Sequence, residues 1–188
     1  MNATSKKYFI DEDYFESVNQ AFPVSEVVKK FAEAVKGKSP EEADEAGKKI
    51  FEEYASALAK HILQTEKDVR DRTAELIYEV AEKTGHHFPS IPQRLIEMAL
   101  LSTRLEDKWR WVCISYKRLA YSVKKCTVYD ALVEAVGKEI ADTLPCRHYC
   151  IALSETFYKE LNMDVGVKMK AALPTDGHCQ FDGFYHFE

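Results

Sequence analysis

The stretch WRWVCISYKRLAYSVKKC, residues 109–126, decides the fold that we predict for this chain. It is rich in aromatic and β-branched residues, which favour the half-buried surface of a strand. A polar break at Lys117 and Arg118 divides it into two runs, and this arrangement predicts a β-hairpin. Trp109 and Trp111 fall on one face of the first strand, where they are packing residues or the wall of a pocket.

The residues after this hairpin predict two helices and two further strands. Apolar residues recur at helical spacing over 129–142, and a second helix is predicted over 146–160. The segment VGVKMKAA, residues 165–172, alternates apolar residues with lysines, as a strand does. A turn at Pro174–Gly177 then leads into the last strand, HCQFDGFYHFE. The order β-β-α-α-β-β predicts one antiparallel sheet for residues 107–188.

The residues before the hairpin predict a helical layer. Apolar residues recur at helical spacing over 24–35. A strong helix start follows, with Ser39 as the N-cap, Pro40 at the first helical position and Glu42 three residues after the cap. Two apolar stripes come next, and the sequence leaves open whether 40–84 is one kinked helix or two.

A last N-terminal helix is predicted after Ser90. Its inner side would carry Ile91, Leu95, Met98, Ala99, Leu101 and Leu105. The predicted fold class is therefore α+β, with a helical region, 1–106, packed on a cysteine-bearing α+β region, 107–188, in a single domain.

Composition narrows the classes of function. The net charge is −5, from 26 Lys and Arg against 31 Asp and Glu, which argues against a nucleic-acid partner. No apolar run approaches the roughly 20 residues of a membrane helix, and the N-terminus lacks the apolar core of a signal peptide. We therefore expect a cytoplasmic protein without a membrane partner. In that reducing compartment the five cysteines are core residues, metal ligands or reactive thiols rather than disulfides.

The stretch LPCRHYC, residues 144–150, places two cysteines on one face of a helix. Cys146 and Cys150 are four residues apart, with His148 between them. Because Pro145 marks the helix start, Cys146 lies where a helix N-terminus stabilises an anion, and a lowered thiol pKa is expected there. The pair forms a nucleophile site, part of a metal site or two small core residues.

Two further cysteines favour a functional site that is shared with Cys146 and Cys150. Cys126 ends a strand directly before a helix, and Cys179 begins the last strand, so both ends can converge near the start of the 146–160 helix. His178 and Cys179 are neighbours on a strand and face opposite ways, which favours Cys179 for the pocket. A soft divalent metal such as zinc would take its ligands from Cys126, Cys146, Cys150, Cys179 and His178.

These cysteines carry a resemblance to a known family. The pieces VKKCTVY, TLPCRHYC and DGHCQFDGFYHF contain Cys126, Cys146 and Cys179, and the last 70 or so residues resemble the L-2-amino-thiazoline-4-carboxylic acid hydrolase-like proteins. Their order, their spacing and the glycine just before the last cysteine agree with the family. Two features depart from it: shortly after the middle cysteine, where the family favours an acidic residue, this chain has His148, Tyr149 and Cys150, and Asp-Gly-His replaces Gly-Asp before the last cysteine.

The resemblance implies a hydrolase acting on a small sulfur- or nitrogen-containing compound, at a cyclic amidine or thiazoline-type C=N carbon. It implies Cys146 as the nucleophile, His148 as the acid/base, and Cys126 and Cys179 as flanking groups. Two rival hypotheses stay open. One is a non-enzymatic metal- or small-ligand-binding sensor that uses the same cysteines, and the other is an inert cysteine core. The sequence also leaves open whether the chain forms a homo-oligomer.

Overall fold

A computed structural model describes residues 12–69, 80, 83–84, 93–115 and 117–185. Its helices are α1 (Glu12–Ala21), α2 (Val24–Ala34), α3 (Pro40–Val69), α4 (Gln93–Leu101), α5 (Thr127–Val136), α6 (Lys138–Ala141), α7 (Arg147–Glu160) and α8 (Leu173–Asp176). Its strands are β1 (Lys108–Ile114), β2 (Arg118–Lys125), β3 (Val165–Ala171) and β4 (Cys179–Tyr185). The predicted α+β class is confirmed.

The start of α3 is the predicted capping box. The Ser39 backbone N–H donates to Glu42 Oε2 at 2.9 Å, and the Glu42 N–H donates to Ser39 Oγ at 3.4 Å. From this cap the helix runs unbroken to Val69. Most of the second predicted stripe lies outside the described residues, as do Ser90 and Ile91. Within the described ranges, no helix is both long and apolar enough to cross a membrane.

The end of α4 departs from the prediction. Leu95, Met98 and Leu101 are buried as expected, but Leu105 is 73% exposed. The helix stops at Leu101, and the hydroxyls of Ser102 and Thr103 turn back to the carbonyl of Ala99 at 2.7 and 3.0 Å. These hydroxyls compete for backbone groups that would otherwise continue the helix. The placement of Leu105 on the inner side of the helix was therefore wrong.

The sheet joins two hairpins through their second strands. The strand order is β1-β2-β4-β3, and every neighbouring pair is antiparallel. In the central pair Tyr121 lies opposite Phe181 and Val123 lies opposite Cys179 on the inner face. On the outer face Arg118 donates two bonds to Asp182 Oδ2, at 3.0 and 2.7 Å, and so links the two central strands.

The inner face of the sheet is covered by α7, and α3 packs on α7 from the other side. Tyr149, Leu153 and Phe157 recur every four residues along α7 and are buried. Each large apolar side chain buried in this way contributes roughly 1.5–3 kcal/mol. The single helix predicted over 129–142 is divided into α5 and α6 at Gly137, whose φ of 80° favours glycine.

Candidate functional site

Four cysteines converge at one end of the sheet. Cys126 is the residue between β2 and α5, Cys146 precedes α7, and Cys179 is the first residue of β4. Together with Cys150 they border one cavity of about 20 Å³, whose other walls are chiefly apolar. The predicted convergence of the strand ends on the start of this helix is confirmed. Cys113, the fifth cysteine, lies half-buried on β1 and does not border this cavity.

Burial keeps these thiols protonated. It raises the pKa of Cys126 to about 12 and that of Cys146 and Cys150 well above the ordinary value of 9.0. Burial also raises the pKa of Cys179. The neighbouring thiols act in the same direction on Cys146, because a second negative charge beside the first is unfavourable. The lowered pKa expected for Cys146 was therefore wrong: removal from water outweighs the helix N-terminus.

A close approach between α3 and the chain before α7 lies directly beside Cys146. Gly47 makes this approach feasible, because a Cβ there would lie 2.6 Å from the Cβ of Pro145. A bidentate ion pair stabilises this contact: Arg147 donates to both carboxylate oxygens of Asp44, at 2.7 and 2.6 Å. Cys146 itself is only 7% exposed.

The two predicted histidines lie away from the thiols. His148 has its Nε2 atom 3.3 Å from Asp44 Oδ1, on the α3 side of α7. Burial, and then the charge of Arg147, lowers the pKa of His148. The Nδ1 atom of His178 is 3.0 Å from the Asp176 carbonyl in the turn before β4. Neither histidine borders the cysteine cavity, so the structure does not group them with Cys146 or Cys179.

The predicted metal site has no matching ligand group. In the part of the chain that the structure describes, no three His, Cys, Asp or Glu residues are arranged to hold a metal ion. All five predicted ligands, Cys126, Cys146, Cys150, Cys179 and His178, lie within that part.

A larger cavity, of about 110 Å³, lies between the sheet and helices α4 and α7. Its aromatic walls are Trp109, Trp111, Tyr121, Tyr149, Phe157 and Tyr158. The pocket-wall alternative for the two tryptophans is thus confirmed, and their rings meet edge to face at 5.8 Å. Cys126 and Cys150 border both cavities, whereas Cys146 and Cys179 border only the small one.

One end of the aromatic cavity is polar. Arg104, in the loop between α4 and β1, borders it and is only 7% exposed. Its Nη2 donates to the Phe22 carbonyl and to Tyr54 Oη, both at 3.1 Å, and its Nη1 donates to the Ser102 carbonyl at 3.4 Å. All these acceptors are neutral. Among the residues that the structure describes, no carboxylate forms an ion pair with this guanidinium.

Asp107 also borders the aromatic cavity, but its carboxylate serves the backbone. Its Oδ1 accepts bonds from the N–H and the hydroxyl of Thr127, both at 2.7 Å, at the start of α5. Its Oδ2 accepts a longer bond, 3.4 Å, from the backbone N–H of Arg104. Asp107 thus acts as the cap of a helix that begins 20 residues later in the chain.

Sequence reasoning missed Arg104 and Asp107. Both lie in the short loop STRLED, residues 102–107, where charged residues are ordinary and no periodicity marks a buried position. The pair of tryptophans that follows was the only pointer to a cavity at this place. Cys150, interpreted from the sequence mainly as a departure from the family pattern, is one of the two thiols that reach the larger cavity.

Comparison of the chain with protein-family models, with curated proteins and with solved structures gave no match in any of the three. The resemblance to the L-2-amino-thiazoline-4-carboxylic acid hydrolase-like proteins therefore stays a prediction.

Proposed function

We propose that this protein binds a small, mainly apolar molecule in the aromatic cavity. The observation that carries the proposal is the cavity itself, of about 110 Å³ and walled by six aromatic side chains. Protein interiors are close-packed, and voids much larger than a water molecule are few. A mainly apolar cavity of this kind takes up apolar molecules of matching size.

The size of the cavity sets the size of the ligand. Drug-sized ligands occupy pockets of roughly 300–1,000 Å³, whereas an engineered apolar cavity of about 150 Å³ holds a benzene molecule. A cavity of about 110 Å³ therefore suits a ligand whose apolar part is a single small ring or a short branched alkyl group. Edge-to-face contacts with Trp109 and Trp111 favour a ring.

The thiols fit a binding role better than a nucleophilic one. Cys126 and Cys150 border the cavity, but burial raises the pKa of both thiols far from neutrality. Protonated thiols behave as small apolar groups and add to the wall of the cavity. Hydrolysis through Cys146 stays a prediction, and it would require an activating base that neither His148 nor His178 supplies from its present place.

The two tryptophans of the chain are both in the cavity wall, so their fluorescence reports on its occupancy. We expect toluene to change the tryptophan emission with a saturable dependence on concentration and to raise the melting temperature, because binding to the folded state stabilises it. 1,2-Propanediol, which is similarly small but polar, should do neither at the same concentrations.

Two variants, each with one alanine replaced by leucine, test whether binding occurs in the cavity. Ala99→Leu fills the cavity from α4 and should weaken toluene binding about tenfold or more, since a methylene in an apolar pocket is worth about 1–3 kcal/mol. Ala135→Leu adds the same side chain on the exposed surface of α5 and should leave binding unchanged. An unsaturable response, or one that Ala99→Leu leaves intact, contradicts the proposal.

The hydrolase prediction has its own test. Cleavage of an amino-thiazoline carboxylate that is lost in Cys146→Ser but kept in Cys113→Ser would support it. Equal activity in these two variants, or no turnover by the wild-type protein, would count against it.

A further inference from the structure

We infer that the ligand of the aromatic cavity is an anion: an apolar monocarboxylate whose charged group pairs with Arg104 while its ring lies against the tryptophans. This inference rests on the proposed function, since it names the class of molecule that the same cavity takes.

The first support is that, among the residues that the structure describes, no carboxylate forms an ion pair with Arg104. A buried cation is costly unless it is paired, and buried arginines are usually matched by a carboxylate or a phosphate. Here Arg104 as a whole residue is only 7% exposed, yet the acceptors of its guanidinium are two carbonyls and a phenol oxygen. These three bonds use three of its five N–H donors, so two donors remain for a further acceptor.

The second support is the position of this cation. Arg104 borders the aromatic cavity, beside the hydroxyl-bearing residues Ser102 and Thr103. The hydroxyls of both are already donated to the Ala99 carbonyl, and Thr103 Oγ1 also accepts a bond from Trp109 Nε1 at 2.8 Å. The guanidinium is therefore the group at this end that still has strong donors to offer.

Asp107 is the obvious objection, because it places a negative charge beside the same cavity. Its oxygens, however, already accept three bonds, two from Thr127 and one from the Arg104 backbone, and these donors stabilise the charge where it lies. At Tyr149, which borders the cavity, burial is the largest cause and raises the pKa of the phenol, and the charge of Arg104 is the next cause and lowers it.

The geometry of the ligand follows from the two ends of the cavity. Arg104 lies in the loop before β1, whereas Cys126 and Cys150 border the cavity where it meets the cysteine cluster. The Asp107 carboxylate lies on the side of these thiols, since it accepts two bonds from Thr127, the residue after Cys126. Both thiols are neutral, and the charge of Asp107 raises the pKa of each after the larger effects of burial and neighbouring groups. The carboxylate of the ligand therefore belongs beside Arg104 and the uncharged end of the ligand belongs beside the thiols.

Three probes of one shape test the charge. Phenylacetate, phenylacetamide and 2-phenylethylamine differ mainly in the group attached to the same ring. Each is titrated into the wild-type protein at pH 7.5 with tryptophan emission as the readout, together with toluene. We expect phenylacetate to bind roughly tenfold or more tightly than phenylacetamide, because a hydrogen bond to a charged group is stronger than one to a neutral group.

Variants then assign the preference to Arg104. Arg104→Met keeps the apolar stem and should abolish the advantage of phenylacetate over phenylacetamide while toluene still binds. Arg118→Met, which removes an arginine from the outer face of the sheet, should keep the advantage. Circular dichroism establishes whether each variant folds. If Arg104→Met does not fold, the comparison of the probes on the wild-type protein decides alone.

The outcomes separate the two claims. If toluene and phenylacetamide bind and phenylacetate binds no more tightly than the amide, the anion inference is overturned and the binding function stands. Tighter binding of 2-phenylethylamine also overturns it and points to Asp107. If none of the four probes changes the emission, the proposed function itself fails.

Discussion

Alkylation of the cysteines should be slow in the folded protein, and the size of the effect can be worked out for Cys126. Burial raises the pKa of that thiol from 9.0 to about 12. The thiolate is the reacting species, so three pKa units reduce the reactive fraction at pH 8 about a thousandfold relative to the unfolded chain. Limited access to the buried sulfur would add to this factor. We therefore expect labelling by iodoacetamide to be at least about a thousandfold slower in the native state.

The measurement is a timed pulse of iodoacetamide on native protein and on protein in denaturant, with each cysteine quantified by peptide mass spectrometry. Cys146 and Cys150 should be protected along with Cys126, because burial raises the pKa of all three thiols. Cys113, which lies outside the cluster, gives a reference within the same molecule. Labelling of Cys146 ahead of every other cysteine in native protein would refute the reasoning, and it would restore the activated nucleophile that the sequence predicted.

Three further predictions concern the contact of α3 with the start of α7. Gly47→Ala should lower the free energy of unfolding by about 1–2 kcal/mol in urea titrations, because its Cβ meets Pro145 at 2.6 Å; a stabilised variant would contradict this. Asp44→Asn removes the negative charge to which Arg147 donates two hydrogen bonds, and it should lower the free energy of unfolding by about 1–3 kcal/mol in the same titrations. An unchanged urea midpoint would show that the ion pair does not stabilise the fold. Burial lowers the pKa of His148 below its ordinary value of 6.5, so the unfolded chain binds the proton more readily than the folded chain. The contribution of His148 to the free energy of unfolding is therefore fully present above about pH 6.5, and it is lost as the pH falls through the folded pKa. His148→Gln should flatten this acid slope in urea titrations between pH 7 and pH 5, and an equal slope in both proteins would rule out that cause.

Much of the fold could be predicted because its signals are local. The cap of α3 needs only Ser39 and Glu42, three residues apart, and the hairpin of β1 and β2 needs only an aromatic run with a polar break. The convergence of Cys126, Cys146 and Cys179 also followed from local assignments, since each cysteine lies at the end of an element.

The rest depends on residues that are distant in the chain. Cys146 lies among residues that are distant in the chain: Val123 and Phe181 border its cavity, and Gly47 lies against Pro145 beside it. Inspection of LPCRHYC alone therefore could not give the direction of its pKa shift. The buried position of Arg104 is likewise defined by Phe22 and Tyr54, which belong to the N-terminal part of the chain. Neither the rule for helix starts nor the net charge of the chain contains information about these contacts.

The link between Arg118 and Asp182 has a consequence for how the chain reaches its native state. Each hairpin pairs strands that are close in sequence, and isolated hairpins form in roughly 1–10 μs. The pairing of β2 with β4 instead joins residues 64 positions apart, so it must overcome the larger loop-closure entropy. We expect the pairing of β2 with β4 to limit the folding rate. Replacing Arg118 with Met should therefore slow refolding in stopped-flow measurements, whereas changes confined to either hairpin turn should act mainly on unfolding.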